Sequence, residues 1–315
     1  MRVLYSFLFI ILFSPQIHAA LPTNPETDPQ FTTLPNGKKL SDYKVNGTSL
    51  FLAKGSGNAF SNQNRAEFEN LYSLSKSTAT DFQWVLMDLD THQIIDQSQQ
   101  PQTKFFGASV SKIFVSGTLL DYQNGQISHS QLQLMANMLV VSSNSAWTEL
   151  QRQIGGGNAD LGRQRIHEFT QDMGYERTRA FQGWWGDLHG NELTALELAE
   201  YLYDTYMGQY PGAEYNWKFM HTCRTGSQRA KKYLPSSLII GGKTGTYHGS
   251  TVNPETGDNK FPDGTPYTVK MNSQVIVFHA NGHQYALTIL ANTGTDTTAA
   301  LLAGGLYRRY IADIP

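Results

Sequence analysis

The apolar residues of this chain change their period four times, and the changes divide it into segments. Between residues 63 and 77, Phe68, Leu71, Tyr72 and Leu74 recur at helical spacing, which predicts a short amphipathic helix. Phe82 to Leu89 is a β-type run, followed by a turn at Asp90 to His92 and by Gln93-Ile94-Ile95-Asp96, the pattern of a two-stranded hairpin. Helical spacing returns with Val110, Ile113, Phe114, Gly117, Leu119 and Leu120, predicting a helix from about Ser109 to Asn124 that Asn124-Gly125 ends. Further helices are predicted through Leu132, Met135 and Leu139, from Ala146 to Ile154, and from about Ala159 to Met173. Two more run from Leu193 to Met207, with Thr194 as cap, and from Trp217 to Cys223. The β pattern resumes at Leu238-Ile239-Ile240, and Asn272 to Ala280 and Gln284 to Ala291 read as strands joined by Asn281-Gly282, a tight hairpin signal. A last helix is predicted from Thr297 to about Ile311.

Three stretches lack periodicity: 21–62, read as an extended lead-in, 174–193, read as an irregular loop, and the polar excursion 249–268. The order of elements implies an α/β (α+β) fold with one antiparallel sheet built from both chain ends and flanked by helices. An all-helical subdomain, about 120–225, is inserted within a domain covering 63–315.

Composition narrows the class. With 40% hydrophobic and 12% aromatic residues in 315, a packed core is expected and disorder is not. The formal charge of −2 and the absence of a long basic run argue against nucleic acid or an anionic membrane as partner, and favour a small-molecule or peptide ligand. Met1-Arg2, apolar Val3 to Phe13, and the small pair Ala19-Ala20 have the layout of a secretory signal peptide, 1–20. Pro15, Gln16 and His18 cut the apolar run short of the about 20 residues that span a bilayer. The expectation is a periplasmic or secreted chain, free of the membrane after cleavage near Ala20. Cys223 is the only cysteine, so no internal disulfide or thiolate cluster can form. His248, His279 and His283 lack metal-ligand spacing, and neither metal nor cofactor is expected.

Chemistry enters with Ser109 and Lys112, neighbours at i and i+3 if a helix starts there, so that a hydroxyl nucleophile acquires an adjacent base. The pattern is common, and Ser73 to Lys76 repeats it. Ser109 is distinguished by two motifs downstream of it in fixed order, Ser142-Ser143-Asn144 and Lys243-Thr244-Gly245. Taken alone, Ser-Ser-Asn is as readily a helix cap.

With Ile154-Gly155-Gly156, Leu193-Thr194-Ala195-Leu196-Glu197, Thr225-Gly226 and Leu234-Pro235, this set resembles the class A serine β-lactamase group of the penicillin-recognising serine hydrolases over roughly 82–312. The resemblance implies an acyl-enzyme on Ser109, with Lys112 as base and Ser142 relaying a proton to the leaving nitrogen. It implies that Asn144 binds the substrate amide, that Lys243 sets the potential, and that Thr244, Gly245 and Thr246 receive a substrate carboxylate. Arg229, 14 residues before Lys243, matches a carboxylate-binding arginine of some members; a solvated arginine is the other reading. The implied ligand is a β-lactam or a peptide-like carboxylate.

Two departures stand out. The group's loop glutamate, which activates the water that releases the acyl group, is absent from Trp184-Trp185-Gly186-Asp187-Leu188-His189: Trp185 takes its place and His189 that of an asparagine. Asp187 or His189 are the candidate substitutes, and Glu176 or Glu192 enter under a shifted alignment. Ser142 also lies only 30 residues beyond Lys112, which implies a more open cleft. A penicillin-binding or D-Ala-D-Ala-type peptidase, a slow acyl acceptor, and a non-catalytic binding descendant are the competing expectations.

Overall fold

The computed structural model describes residues 25–77 and 81–312; the expected signal peptide lies outside the described residues. No helix among the described residues is long and apolar enough to cross a membrane.

The segment expected as a lead-in opens with turns and a small ribbon, β1 (Lys44–Val45) with β2 (Thr48–Ser49). It is packed rather than extended, because Phe31, Leu34, Leu40, Tyr43, Val45 and Leu50 are buried in the main core. Pro- and Gly-rich turns space these residues irregularly, so they have no period to detect. Helix α1 (Asn62–Ser77) comes after it, then β3 (Phe82–Asp88) and β4 (Gln93–Gln97).

The helical part begins after β5 (Phe105–Phe106) with a 3-10 turn, Ala108–Ser111, that runs directly into α2 (Lys112–Tyr122). Helices α3 (His129–Val140), α4 (Asn144–Ile154) and α5 (Ala159–Asp172) come next. Their starts are capped by side chains: Ser128 accepts from Gln131 N–H, Ser143 from Ala146 N–H, and Asn158 from the N–H groups of Asp160 and Leu161.

The irregular loop is partly ordered into β6 (Trp184–Trp185), β7 (Leu188–His189) and β8 (Glu192–Leu193). β6 pairs with β7 across the Gly186-Asp187 turn, and β8 pairs with β5, some 87 positions earlier. Helix α6 (Ala195–Tyr206) carries the expected Thr194 cap, which accepts from Glu197 N–H. Helix α7 (Ala213–Met220) starts earlier than its apolar pattern suggested, entered through Gly212 at a φ of 75° that favours glycine.

The chain closes with β9 (Ile240–Ser250), β10 (Thr268–Ala280), β11 (His283–Ala291) and α8 (Thr297–Tyr307), which passes into a π-type turn over Arg308–Ala312. The sheet order β4-β3-β11-β10-β9 is antiparallel throughout, assembled from both chain ends as expected. Its interior strands are buried on both faces, with alternate residues serving different cores. Trp84, Leu86, Ile276 and Phe278 face α1 and α8, whereas Val85, Met87, Val275 and Val277 face the helical part. The edge strand β9 lies along the start of α2, bringing the two chain halves together.

Candidate active site

Three elements meet at this seam: the turn into α2, the turn into α4, and edge strand β9. The turn before α2 gives Ala108 a φ of 48°, and the turn before α4 gives Ser142 one of 63°. Such conformations cost non-glycine residues energy and persist where the surrounding fold enforces them. Gly245 makes the close approach possible, since a Cβ there would lie 2.8 Å from the Gly107 carbonyl oxygen and 2.9 Å from Val110 Cγ2.

At the seam, Lys112 Nζ lies 2.9 Å from Ser109 Oγ, 2.7 Å from the Ser142 carbonyl oxygen, 2.7 Å from Asn144 Oδ1 and 3.2 Å from Ser142 Oγ. A neutral amine has two N–H donors and one lone pair. The Ser142 carbonyl and the Asn144 amide oxygen are acceptors only, so they use both donors and leave the lone pair for the Ser109 hydroxyl proton. Lys112 is fully buried, and burial together with the positive charge of Lys243 holds its pKa down to about 6. At neutral pH this lysine is an amine.

Lys243, on β9, donates to Ser142 Oγ at 2.8 Å and to the Thr244 carbonyl at 2.8 Å. Burial lowers its pKa to about 8, with Cys223 opposing and Arg229 and Lys231 adding to the shift. Ser142 Oγ thus bridges a neutral and a charged lysine. Ser143 caps α4, its Oγ accepting from Ala146 N–H and lying 3.0 Å from Ser145 Oγ.

Ser109 borders two cavities. One, of about 380 Å³, is polar and is walled by Ser142, Asn144, Thr225, Arg229, Thr244, Thr246 and Asp296. Arg229 is largely committed within the protein: its guanidinium donates to Asp296 Oδ1 at 2.7 Å, the Gly245 and Ser273 carbonyls at 3.1 and 2.8 Å, and Thr246 Oγ1 at 2.9 Å. It meets the cavity through Thr246 more than through a free fork.

The second cavity, of about 430 Å³, is largely aromatic, with Phe106, Trp147, Trp184 and Tyr247 in its wall beside His189, Asn191 and Thr246. Ser250, Thr251 and Val252 also line it, so the first residues of the polar excursion form part of the cleft. Further along, Glu255 accepts from Lys104 N–H at 2.7 Å and from the Arg177 guanidinium at 2.7 and 2.8 Å, tying the excursion to the loop opposite.

Of the loop residues singled out in the sequence, His189 alone borders the Ser109 cavity. Trp185 turns into the protein, packing on the main core with its ring 5.8 Å from that of His167. Asp187 borders an adjacent cavity of about 210 Å³ shared with Lys104, Arg179, His189 and Glu192. Glu176 is exposed and borders neither. Sequence reasoning missed Trp147, one helical turn beyond Asn144 on the same face of α4, a spacing that was available to read. It also missed Asn191, held at a φ of 65° with Oδ1 accepting from Ser111 Oγ.

A cluster with the makeup of a cation site, Asp88, Asp90 and His283, lies at the other end of β3. Its carboxylate oxygens already accept from the backbone N–H groups of Asp90, Thr91 and Gln284 and from the Tyr206 hydroxyl.

Comparison with known proteins gives a consistent picture. The profile described as the beta-lactamase enzyme family matches residues 116–306, taking in Ser142, Asn144, Arg229 and Lys243 and beginning just after Lys112. Among solved structures, the TLA-3 extended-spectrum beta-lactamase is 13% identical with a TM-score of 0.58, the match covering 78% of this chain and 98% of that one. A beta-lactamase from Streptosporangium roseum is 16% identical with a TM-score of 0.56, covering 79% and 98%. One from Xanthomonas campestris pv. campestris is also 16% identical at 0.56, covering 78% and 96%. At these identities the likeness is one of fold. None of the curated proteins matches the chain.

Proposed function

Because the chain belongs to the beta-lactamase enzyme family, we propose that it is an exported serine hydrolase that opens β-lactam amides through an ester on Ser109. The observation that carries this reading is the hydrogen-bond set of Lys112, whose buried neutral amine has its lone pair open to the Ser109 hydroxyl. Ser109 Oγ attacks the amide carbonyl and its proton passes to Lys112 Nζ. The oxyanion is received by the N–H groups of Ser109 and Thr246; that of Ser109 lies in the first turn of a helix, where N–H groups lack intrahelical partners. Ser142 Oγ, between Lys112 and Lys243, relays the proton to the departing nitrogen, and the amide C–N bond breaks.

The two cavities fit the two sides of such a substrate. The polar one, with its threonine hydroxyls and with Lys243 buried behind Ser142, suits a carboxylate, and the aromatic one suits an acyl side chain. The test is intact-mass measurement after incubation with benzylpenicillin: a mass gain equal to one penicillin, located on Ser109, is expected. An unmodified chain under saturating ligand rejects β-lactams as substrates.

A second reading is favoured by one observation: among the described residues, no carboxylate borders the Ser109 cavity on its aromatic side. On that reading the chain is a peptidase or slow acyl acceptor whose adduct persists, and rapid hydrolysis of a chromogenic cephalosporin excludes it.

Arg229 gives a further prediction. Arg229→Ala removes the donor to Thr246 Oγ1 and leaves Asp296, which also accepts from Asn272 Nδ2 at 2.8 Å, without its cation. The expected result is a KM for anionic β-lactams raised on the order of tenfold, from loss of one charge-assisted hydrogen bond worth about 1.5–3 kcal/mol, with a smaller change in kcat. Steady-state kinetics check it, and an unchanged KM would mean that Arg229 serves the fold alone.

A further inference from the structure

The loop, with Trp185 where a glutamate is expected, still brings one proton acceptor to the cavity at Ser109. Besides Ser109 itself, the titratable side chains in that wall are His189 and Tyr247. A phenol does not take a proton near neutral pH, whereas an imidazole does. His189 sits on β7, its ring edge-on to Trp184 with centroids 4.9 Å apart, and 6.4 Å from the ring of Phe106. Its Nδ1 is buried without a hydrogen-bond partner and faces Glu192 Oε1 at 3.9 Å. With Nδ1 shut in, Nε2 is the ring nitrogen left to meet water in a cavity that His189 lines.

We propose that His189 is the base that activates the water clearing the acyl group from Ser109, with Glu192 behind the ring as a positioning residue. The inference rests on the acyl-enzyme reading above. Water oxygen adds to the ester carbonyl as its proton passes to His189 Nε2. The resulting oxyanion is held by the same N–H pair as in acylation. On collapse the bond between the carbonyl carbon and Ser109 Oγ breaks, and the proton returns through His189 or Lys112 to Oγ, so that one water is consumed and the free enzyme is restored.

The electrostatic surroundings suit a neutral ring at rest. Burial, then the charge of Arg179, lowers the His189 pKa from its ordinary 6.5. Other charged groups around the ring are Lys104, Asp187 and Glu255 across the adjacent small cavity, besides Glu192 itself. Glu192 is 2% exposed and ion-paired with Lys104 at 3.3 Å and Arg179 at 3.6 Å, which fixes it behind Nδ1. When the imidazole takes a proton, that carboxylate is in place to stabilise the charge, and hydrogen bonds that are long at rest commonly tighten in the reacting complex.

The experiment forms the benzylpenicillin adduct, removes free ligand, and follows its decay by intact mass between about pH 5 and 8. In the wild type, decay is expected to be fast at neutral pH and to slow as the solution is acidified through an ionisation below 6.5. His189→Ala and His189→Gln are expected to form the adduct and to hold it on the order of 10²-fold longer, with the acidic limb gone. Equal decay in wild type and both variants, or a wild-type limb that survives in them, overturns the role of His189 while leaving the acyl-enzyme reading intact. So does a wild-type adduct that persists without decay, which supports the slow acyl acceptor. Absence of any wild-type adduct overturns both readings. Because Lys112 ionises near the same pH, the limb is assigned to His189 by its loss in a variant whose fold thermal unfolding has verified, and His189→Gln carries the test should His189→Ala fail to fold.

Discussion

Ser109→Ala leaves a folded chain that takes up no penicillin and turns over no β-lactam. The substitution removes one oxygen from a half-buried side chain and one of the four neighbours of Lys112 Nζ. The Ser142 carbonyl and Asn144 Oδ1 still occupy both amine donors, so no buried polar group is stranded. Stability should change by less than about 1 kcal/mol, within the usual range for a substitution that leaves packing intact. Catalysis is another matter, because the other hydroxyl beside the Lys112 amine, Ser142 Oγ at 3.2 Å, also accepts from Lys243 and is needed as the proton relay. Turnover should fall by a factor on the order of 10³–10⁶, the cost of losing one member of a unit that acts together. Reversible binding, which depends on the two cavity walls, should survive. Thermal unfolding, intact mass and hydrolysis of a chromogenic cephalosporin test the three statements, and retained turnover would move the chemistry away from Ser109.

The contrast with Ser73 explains why that site could be picked out and what could not. Ser73 and Lys76 have the same spacing, but α1 leaves Ser73 exposed, and the Lys76 amine is taken by Asp96 and the Gln97 carbonyl. Sequence spacing gives adjacency on a helix; only tertiary context decides whether the amine is buried and free to accept. At Ser109 the context was partly readable, because Ser142-Ser143-Asn144 and Lys243-Thr244 are short local motifs whose order survives folding. The sheet was readable for the same reason, since period-two strands and the Asn281-Gly282 turn are local signals.

The features that escaped were non-local. β8 depends on β5 for its pairing, Arg229 on Asp296 for its geometry, and the lead-in on a core it reaches through irregular turns. The aromatic wall escaped too, because Phe106, Trp147, Trp184 and Tyr247 come from four separate elements. His189 was legible as a departure from a motif, but its place in the wall of the Ser109 cavity, with Trp185 turned inward, required the β6–β7 hairpin.

Acylation should follow a bell-shaped pH profile whose limbs belong to the two lysines. Lys112 works as a neutral amine and is lost below a pKa of about 6, so the rate rises with pH through that value. Lys243 works as a cation, holding Ser142 Oγ and drawing in a carboxylate, and it is lost above about 8, so the rate falls there. The plateau between these values contains neutral pH. Lys112→Ala should reduce acylation on the order of 10²–10⁴-fold at that plateau, the usual worth of a positioned general base. Lys243→Gln separates the two roles. It removes the alkaline limb, raises KM for anionic substrates, and also moves the acidic limb to higher pH, because the charge of Lys243 is one of the two causes that hold the Lys112 pKa down. A merely structural Lys243 would lower activity without moving that limb. Burst kinetics of adduct formation across the pH range read acylation apart from its release. An acidic limb left unmoved by Lys243→Gln would show that Lys112 owes its neutrality to burial alone.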